Sequence, residues 1–313
     1  MYNRRRFLTQ SALAAGAVLT SNSLFAEMEK DAAAKRLTIL HTNDVHSRLE
    51  PFPMDGGKNQ GLGGVAARAE LIKGIREKEK NVLLLDAGDI FQGTPYFNIY
   101  KGEPEMKAMA AMGYDAATMG NHDFDAGLEN FATQLEHGRF PLLISNYDFS
   151  GTPMENKYQP YKIFKKGRIK IGVTGVGIAL SGLVPDALFG NTKYLDPIIS
   201  ANTMAEKLKK QEGCDMVICL SHLGFQYKEN KNKVSDEILA RETDNIDLII
   251  GGHTHTFFDQ PLVAKNKSGS DVLINQVGWA GIIMGRLDFD FAKTKKENLT
   301  KSHTVVIGEK TNE

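Results

Sequence analysis

Between Gly120 and Asp125 the chain sets an amide, an imidazole and two carboxylates, those of Asn121, His122, Asp123 and Asp125, directly after the largely apolar run 116–119. An amide oxygen can ligate a hard or borderline metal ion, and an imidazole can take or give a proton near neutral pH. The glycine lets backbone pass where a side chain would clash. The same polar residues could instead cap a helix starting near Leu128, so the reading depends on what else the chain supplies.

Four further places repeat the pattern. The β-branched and apolar stretch 37–41 runs into Thr42-Asn43-Asp44-Val45-His46, where residues two apart in extended chain point to one side, so Asp44 and His46 can reach a single ion. The run 82–86 ends in Ala87-Gly88-Asp89, 216–221 delivers His222, and 246–250 delivers Gly251-Gly252-His253-Thr254-His255. Each is a buried-type strand followed at once by a potential ligand. In open α/β sheets, ligands bind in the crevice beyond the carboxyl ends of the strands. Of the eight histidines in the chain, five (His46, His122, His222, His253 and His255) fall at such ends, which argues for a site rather than for scattered turns.

The elements that must hold these residues are legible from periodicity. Helices are expected over 65–80, around 106–112, and over 128–136, 203–210 and 234–241, the first with its charged face in water. Met106, Met109 and Met112 form a stripe that reads as core filling. Besides the strands already given, 116–119, 141–145, 272–277 and 284–291 read as strands, and 161–164 with 168–176 as a hairpin turning at Lys165-Lys166-Gly167. A Lys-rich polar tail follows. No internal repeat or linker divides the 313 residues. Lys plus Arg and Asp plus Glu are equal at 38 each, so no net field favours nucleic acid or an anionic membrane surface. Cys214 and Cys219 lie in one apolar run, about 16 Å apart if extended at ~3.3 Å per residue, and are expected to be free thiols.

Taken in order, Asp44-x-His46, Gly88-Asp89, Gly120-Asn121-His122-Asp123, His222 and Gly252-His253-x-His255 resemble the calcineurin-like metallophosphoesterases. The words Ile39-Leu40-His41-Thr42-Asn43-Asp44, Leu85-Asp86-Ala87-Gly88-Asp89 continuing to Phe91-Gln92-Gly93-Thr94, Asn121-His122-Asp123-Phe124-Asp125 and the run from Asn275 to Gly281 are similar to the catalytic domain of the bacterial 5'-nucleotidases. The resemblance covers about 37–291. It implies a single-domain α/β fold, a four-layer αββα sandwich, around two divalent metal ions (Mn, Zn, Fe or Co) that activate a bridging hydroxide for attack on a phosphate ester. By the same resemblance Asp44, His46 and His255 would hold one ion, Asn121, His222 and His253 the other, and Asp89 would bridge them. His122 would contact the phosphate or the leaving oxygen, with Asp125 orienting its ring. Imidazole ligands favour Mn, Fe, Co or Zn over Mg or Ca. Ser47 stands where glycine commonly follows the first histidine of the family, and Asp123 where glutamate is common; neither position is a ligand.

The resemblance implies a small phosphate-ester substrate, with nucleoside monophosphates favoured. A phosphodiesterase or thiosulfohydrolase on the same scaffold, and a non-catalytic metal-binding subunit, are the competing readings. The C-terminal nucleotide-binding domain of the long 5'-nucleotidases is not expected within 34–310, which reads as the catalytic domain alone, and a separately encoded domain could supply it. Within the chain, Trp279, Phe257-Phe258 and Arg48 are the candidates for contacts beyond the phosphate.

Residues 1–26 read as an export signal. Arg4, Arg5 and Arg6 precede Phe7-Leu8, and the apolar run 12–19 is too short to span a bilayer but suits a signal core. The basic start resembles the twin-arginine signal, which implies periplasmic delivery of a folded protein with no stable membrane insertion after cleavage. Replacing Arg4, Arg5 and Arg6 together by lysine is expected to strand an uncut, folded precursor in the cytoplasm. Fractionation that finds unchanged periplasmic protein would assign the leader to the general secretory route instead.

Overall fold

A computed structural model describes residues 35–291 and 298–308, so the export-signal expectation for 1–26 lies outside the described residues. Strands β1 (Arg36–Thr42), β2 (Val82–Asp86) and β3 (Ala116–Ala117) run parallel, and β12 (Ile283–Asp290) and β13 (Asn298–Val306) extend them antiparallel, in the order β13-β12-β1-β2-β3. A second sheet has the order β10-β11-β9-β8-β6-β5. Its parallel centre is β6 (Ile169–Gly177), β8 (Met216–His222), β9 (Leu248–Gly251) and β11 (Asp271–Asn275), and its antiparallel edges are β5 (Tyr161–Lys166) and β10 (Leu262–Lys265).

Strand alternation explains how the two sheets stack. Leu37, Ile39, Leu83, Leu85, Leu287 and Phe289 of the first sheet meet Ile171, Val173, Met216, Ile218, Leu220 and Leu248 of the second in one wholly buried cluster. The intervening residues face outward. Leu40, Val82 and Leu84 pack under α1 (Val65–Lys78), α3 (Glu103–Met112) and α4 (Gly127–Gly138), with Met106, Met109 and Met112 inside that cluster. On the other side Val217, Cys219, Ile249 and Ile274 pack under α6 (Pro197–Glu206) and α7 (Asp236–Glu242). The result is helices, sheet, sheet, helices: the expected αββα sandwich. Both cysteines are buried and free.

Three sequence expectations change. The stretch 141–145 is not a strand: Leu143 N–H donates to Ala117 O of the first sheet at 2.8 Å, while Ser145 N–H donates to Gly175 O of the second at 2.8 Å. A segment that steps from one sheet to the other cannot stay in either ladder. The polar tail contains β13, an edge strand pairing with β12 across a bulge at Asp288/Phe289; half-exposed and lysine-bearing, it lacks the apolar alternation that marks a buried strand, and such edges resist unwanted pairing. In α1, Arg68 is buried at 3% exposure instead of lying on the wet face.

Ile171 sits fully buried between the sheets. Ile171→Ala should lower the unfolding free energy by about 2–5 kcal/mol, measured as a shifted denaturant midpoint with an unchanged slope; a loss below about 1 kcal/mol would mean that the inter-sheet layer is loosely packed.

Candidate dimetal centre

All the predicted ligands sit at or just beyond carboxyl ends of parallel strands, and the loops that carry them are laced together by backbone bonds. Asp44 N–H donates to Gly88 O at 2.9 Å, His46 N–H to Asp89 O at 3.0 Å, and Ala280 N–H to Asp44 O at 2.7 Å. The turns are tight enough that Asp44, His46, Asp89, His253 and His255 all adopt positive φ between 50° and 71°. Non-glycine residues seldom hold that conformation, and where they do it collects at functional sites.

Two groups of donor atoms result. Asp44, His46 and His255 form one, and Asp89, His222 and His253 the other. In the first, His46 Nε2 faces His255 Nε2 at 3.1 Å and Asp44 Oδ1 lies 3.5 Å from His255 Nε2. In the second, His222 Nε2 is 3.1 Å from Asp89 Oδ2, and the Asn121 Oδ1 amide oxygen is 2.8 Å from His253 Nδ1. Asp89 Oδ2 is also 3.8 Å from His46 Nε2, so this carboxylate lies between the groups, where a bridge would stand.

The donor chemistry fits divalent cations. His222 is fully buried, and its Nδ1 meets the Ala87 carbonyl at 2.7 Å. That contact assigns the proton to Nδ1 and leaves the Nε2 lone pair aimed at the carboxylates, with no hydrogen-bond partner of its own. Without cations this pocket draws a proton instead: burial opposes charge on His222, but Asp89 and Asp44 push its pKa up to about 10. Burial likewise opposes the charge of Asp89, and the neighbouring His222 outweighs it and holds the carboxyl well below the usual range. Imidazoles, carboxylates and an amide oxygen suit borderline ions of the Mn, Fe, Co and Zn group.

His122 and Asp125 stand apart from both groups. His122 Nδ1 is 2.9 Å from Asp125 Oδ2, the imidazole is 37% exposed, and its ring meets that of His46 edge-on at 5.3 Å. The hydrogen bond that His122 donates to Asp125 keeps the His122 pKa above the ordinary histidine value.

Several residues to which the sequence assigns no role support the site. Asp123 accepts from the backbone N–H groups of Asp89, Ile90, Phe91 and Gly120 at 2.8–3.1 Å, clamping the two central loops together. Gln276 donates to Gly252 O at 2.7 Å and accepts from Thr256 N–H at 2.5 Å, holding both flanks of His253-Thr254-His255. Asn43 Nδ2 donates to Asp44 Oδ2 and to Gly278 O, both at 2.7 Å. Polar side chains buried at strand ends were the available signal. The candidates for contacts beyond the phosphate are largely engaged in packing: Trp279 stacks on His255 at 6.0 Å, the Arg48 guanidinium covers Phe52 at 4.0 Å, and Phe258 packs on Phe225, leaving Phe257 48% exposed.

Comparison with known proteins agrees with this geometry. A family model described as calcineurin-like phosphoesterase matches residues 37–257. Over 291 residues the chain is 35% identical to the snake venom 5'-nucleotidase of Crotalus adamanteus, covering 87% of this chain and 47% of that protein. The structure of Haemophilus influenzae NAD nucleotidase superposes with a TM-score of 0.77 at 30% identity, covering 87% of this chain and 56% of that one. A 5'-nucleotidase precursor from Thermus thermophilus gives 0.75 at 32% identity, covering 87% and 55%. The chain thus spans about half the length of the relatives it matches.

Gly120 provides a direct test of the packing. A Cβ there would lie 2.2 Å from Asp89 Oδ1 and 2.5 Å from His222 Nε2. Gly120→Ala is therefore expected to fold but to bind fewer than two ions per chain by elemental analysis; full loading would show that these two donors are not fixed as drawn.

Proposed function

The chain belongs to the calcineurin-like phosphoesterase family, and we propose that it is a dimetal phosphohydrolase of the 5'-nucleotidase type acting on small phosphate esters, nucleoside monophosphates among them. The observation that carries this reading is the convergence of Asp44, His46, Asp89, Asn121, His222, His253 and His255 on two adjoining donor groups, with the His122–Asp125 pair beside them at 2.9 Å. Asp44, His46 and His255 are assigned to one ion, Asn121, His222 and His253 to the other, and Asp89 to both. Bound there, two divalent ions would supply Lewis acidity toward the phosphoryl oxygens and a water of lowered pKa.

The remaining work falls to the chain. Asp125 accepts from His122 Nδ1 and so keeps a proton on that nitrogen, which leaves Nε2 as the atom that can meet a substrate oxygen. A partly exposed imidazole with a carboxylate behind it is a suitable group to steady a phosphoryl oxygen or protonate a leaving alkoxide. Metal binding alone does not need this pair, and its presence favours an enzyme over a non-catalytic subunit. Because Trp279, Arg48 and Phe258 are held in packing contacts, these residues alone would give a broad substrate range, and any sharper selection would come from a nucleotide-binding domain outside them. Export to the periplasm belongs to the same proposal, supported by the basic and apolar leader; no helix among the described residues is long and apolar enough to cross a membrane.

The experiment is a substrate panel on manganese-loaded protein: nucleoside monophosphates, NAD, p-nitrophenyl phosphate, its bis-ester and a sulfur ester. Monoesters are expected to turn over best. His122→Ala should retain both ions and lose about 10²–10⁴ in turnover. Preference for the bis-ester or sulfur ester would overturn the substrate class, and loss of metal in His122→Ala would make that residue a ligand.

A further inference from the structure

Beneath the candidate ligand loops lie two buried ionisable side chains that the catalytic reading leaves unused. Arg68 on α1 and Glu105 on α3 are each 3% exposed. Nε and Nη1 of Arg68 and both carboxylate oxygens of Glu105 have no hydrogen-bond partner. Both side chains line one small cavity with Val45, Asp86, Ile90 and Tyr114, which leaves about 10 Å³ for the centre of a water molecule. That is about what one buried water needs. The Asp86 carboxylate, on the same cavity, accepts from Thr42 Oγ1 at 2.5 Å and Gly88 N–H at 2.9 Å and also feels the Arg68 charge. Leaving a guanidinium and a carboxylate dry and unpaired is strongly unfavourable. A water in that space has donors available from the Arg68 guanidinium and acceptors from the Glu105 carboxylate, which line the same cavity.

The position of the pair gives it a role. Val45 separates Asp44 from His46, and Ile90 follows Asp89. Ser47, next to His46, sets its buried hydroxyl beside Glu105, short of a well-formed hydrogen bond but close enough to favour the charged carboxylate. On the other flank a Cβ at Gly281 would lie 2.6 Å from Arg68 Nη1, and the preceding Ala280 N–H holds Asp44 O. The two outer helices therefore reach, through one polar joint, the loops that feed both donor groups.

We propose that Arg68 and Glu105 form a water-bridged ion pair that positions the Asp44–His46 loop against the Asp89 loop and so sets the separation of the two donor groups. The positioning role rests on the dimetal reading; the water bridge does not. Two measurements separate them. High-resolution diffraction from metal-stripped protein should show an ordered water within hydrogen-bond distance of both side chains, and a direct Arg68–Glu105 contact without water would overturn the bridge. In manganese-loaded protein, the spin coupling of the two ions reports their spacing. The double variant Arg68→Met/Glu105→Leu, which leaves neither charge unpaired, should melt near the parent temperature yet bind its second Mn²⁺ about 10- to 100-fold more weakly with altered coupling. Glu105→Gln, which keeps an acceptor for the water, should retain the parent spectrum. A double variant with parental affinity and coupling would reduce the pair to packing and overturn the proposal. Failure of the parent protein to take up two ions would instead sink the dimetal reading, with the diffraction result still deciding the bridge.

Discussion

The centre of this fold is a pocket with more lone pairs than protons. Asp44, Asp89 and His222 are at most 1% exposed, and their donor atoms point at one another across 3.1–3.8 Å. In water such an arrangement would disperse; inside the sandwich it persists only because backbone and buried amides hold it, and because cations can neutralise it. Five of the seven candidate ligands hold positive φ, at a cost on the order of 1 kcal/mol or more each. That strain is opposed by the carboxylate of Asp123, which gathers four backbone N–H groups, and by Gln276 and Asn43 acting on the neighbouring loops. The two-sheet scaffold, with its wholly buried interface, supplies the rigidity against which those loops are bent.

How far the sequence discloses this depends on the range of the interaction. The strand-then-polar pattern is local, so the sequence points to Asp44, His46, Asp89, Asn121, His222, His253 and His255 as one group, and the structure brings them together at the ends of the parallel strands. Asp123 reads from the sequence as a tolerated variant of a non-ligand position, because its partners lie more than thirty residues away at Asp89, Ile90 and Phe91. Arg68 hid for a related reason: on an otherwise amphipathic helix a lone arginine counts as solvated face, and only its neighbours across the layer show that it is buried. β13 carries little apolar signal because it is an edge strand with polar alternation, and 141–145 has the apolar content of a strand although it serves two sheets in turn.

Exposure grades the site without dividing it. Asp44, Asp89 and His222 are at most 1% exposed, whereas the His255 side chain, 40% exposed, is as open as that of His122 at 37%. What sets His122 apart is its tie to Asp125 at 2.9 Å, in the same five residues that carry the candidate ligand Asn121. Around it the aromatic and cationic side chains are mostly spent on each other, as in the run Arg48, Phe52, Trp279 and His255.

The most direct measurement is anomalous diffraction from crystals soaked in Mn²⁺ after chelation. The account predicts two peaks about 3.5–4 Å apart, one contacting Asp44, His46 and His255, the other Asn121, His222 and His253, with Asp89 touching both. A single peak, or none, with the His46 and His255 rings still facing each other at hydrogen-bond distance, would contradict it.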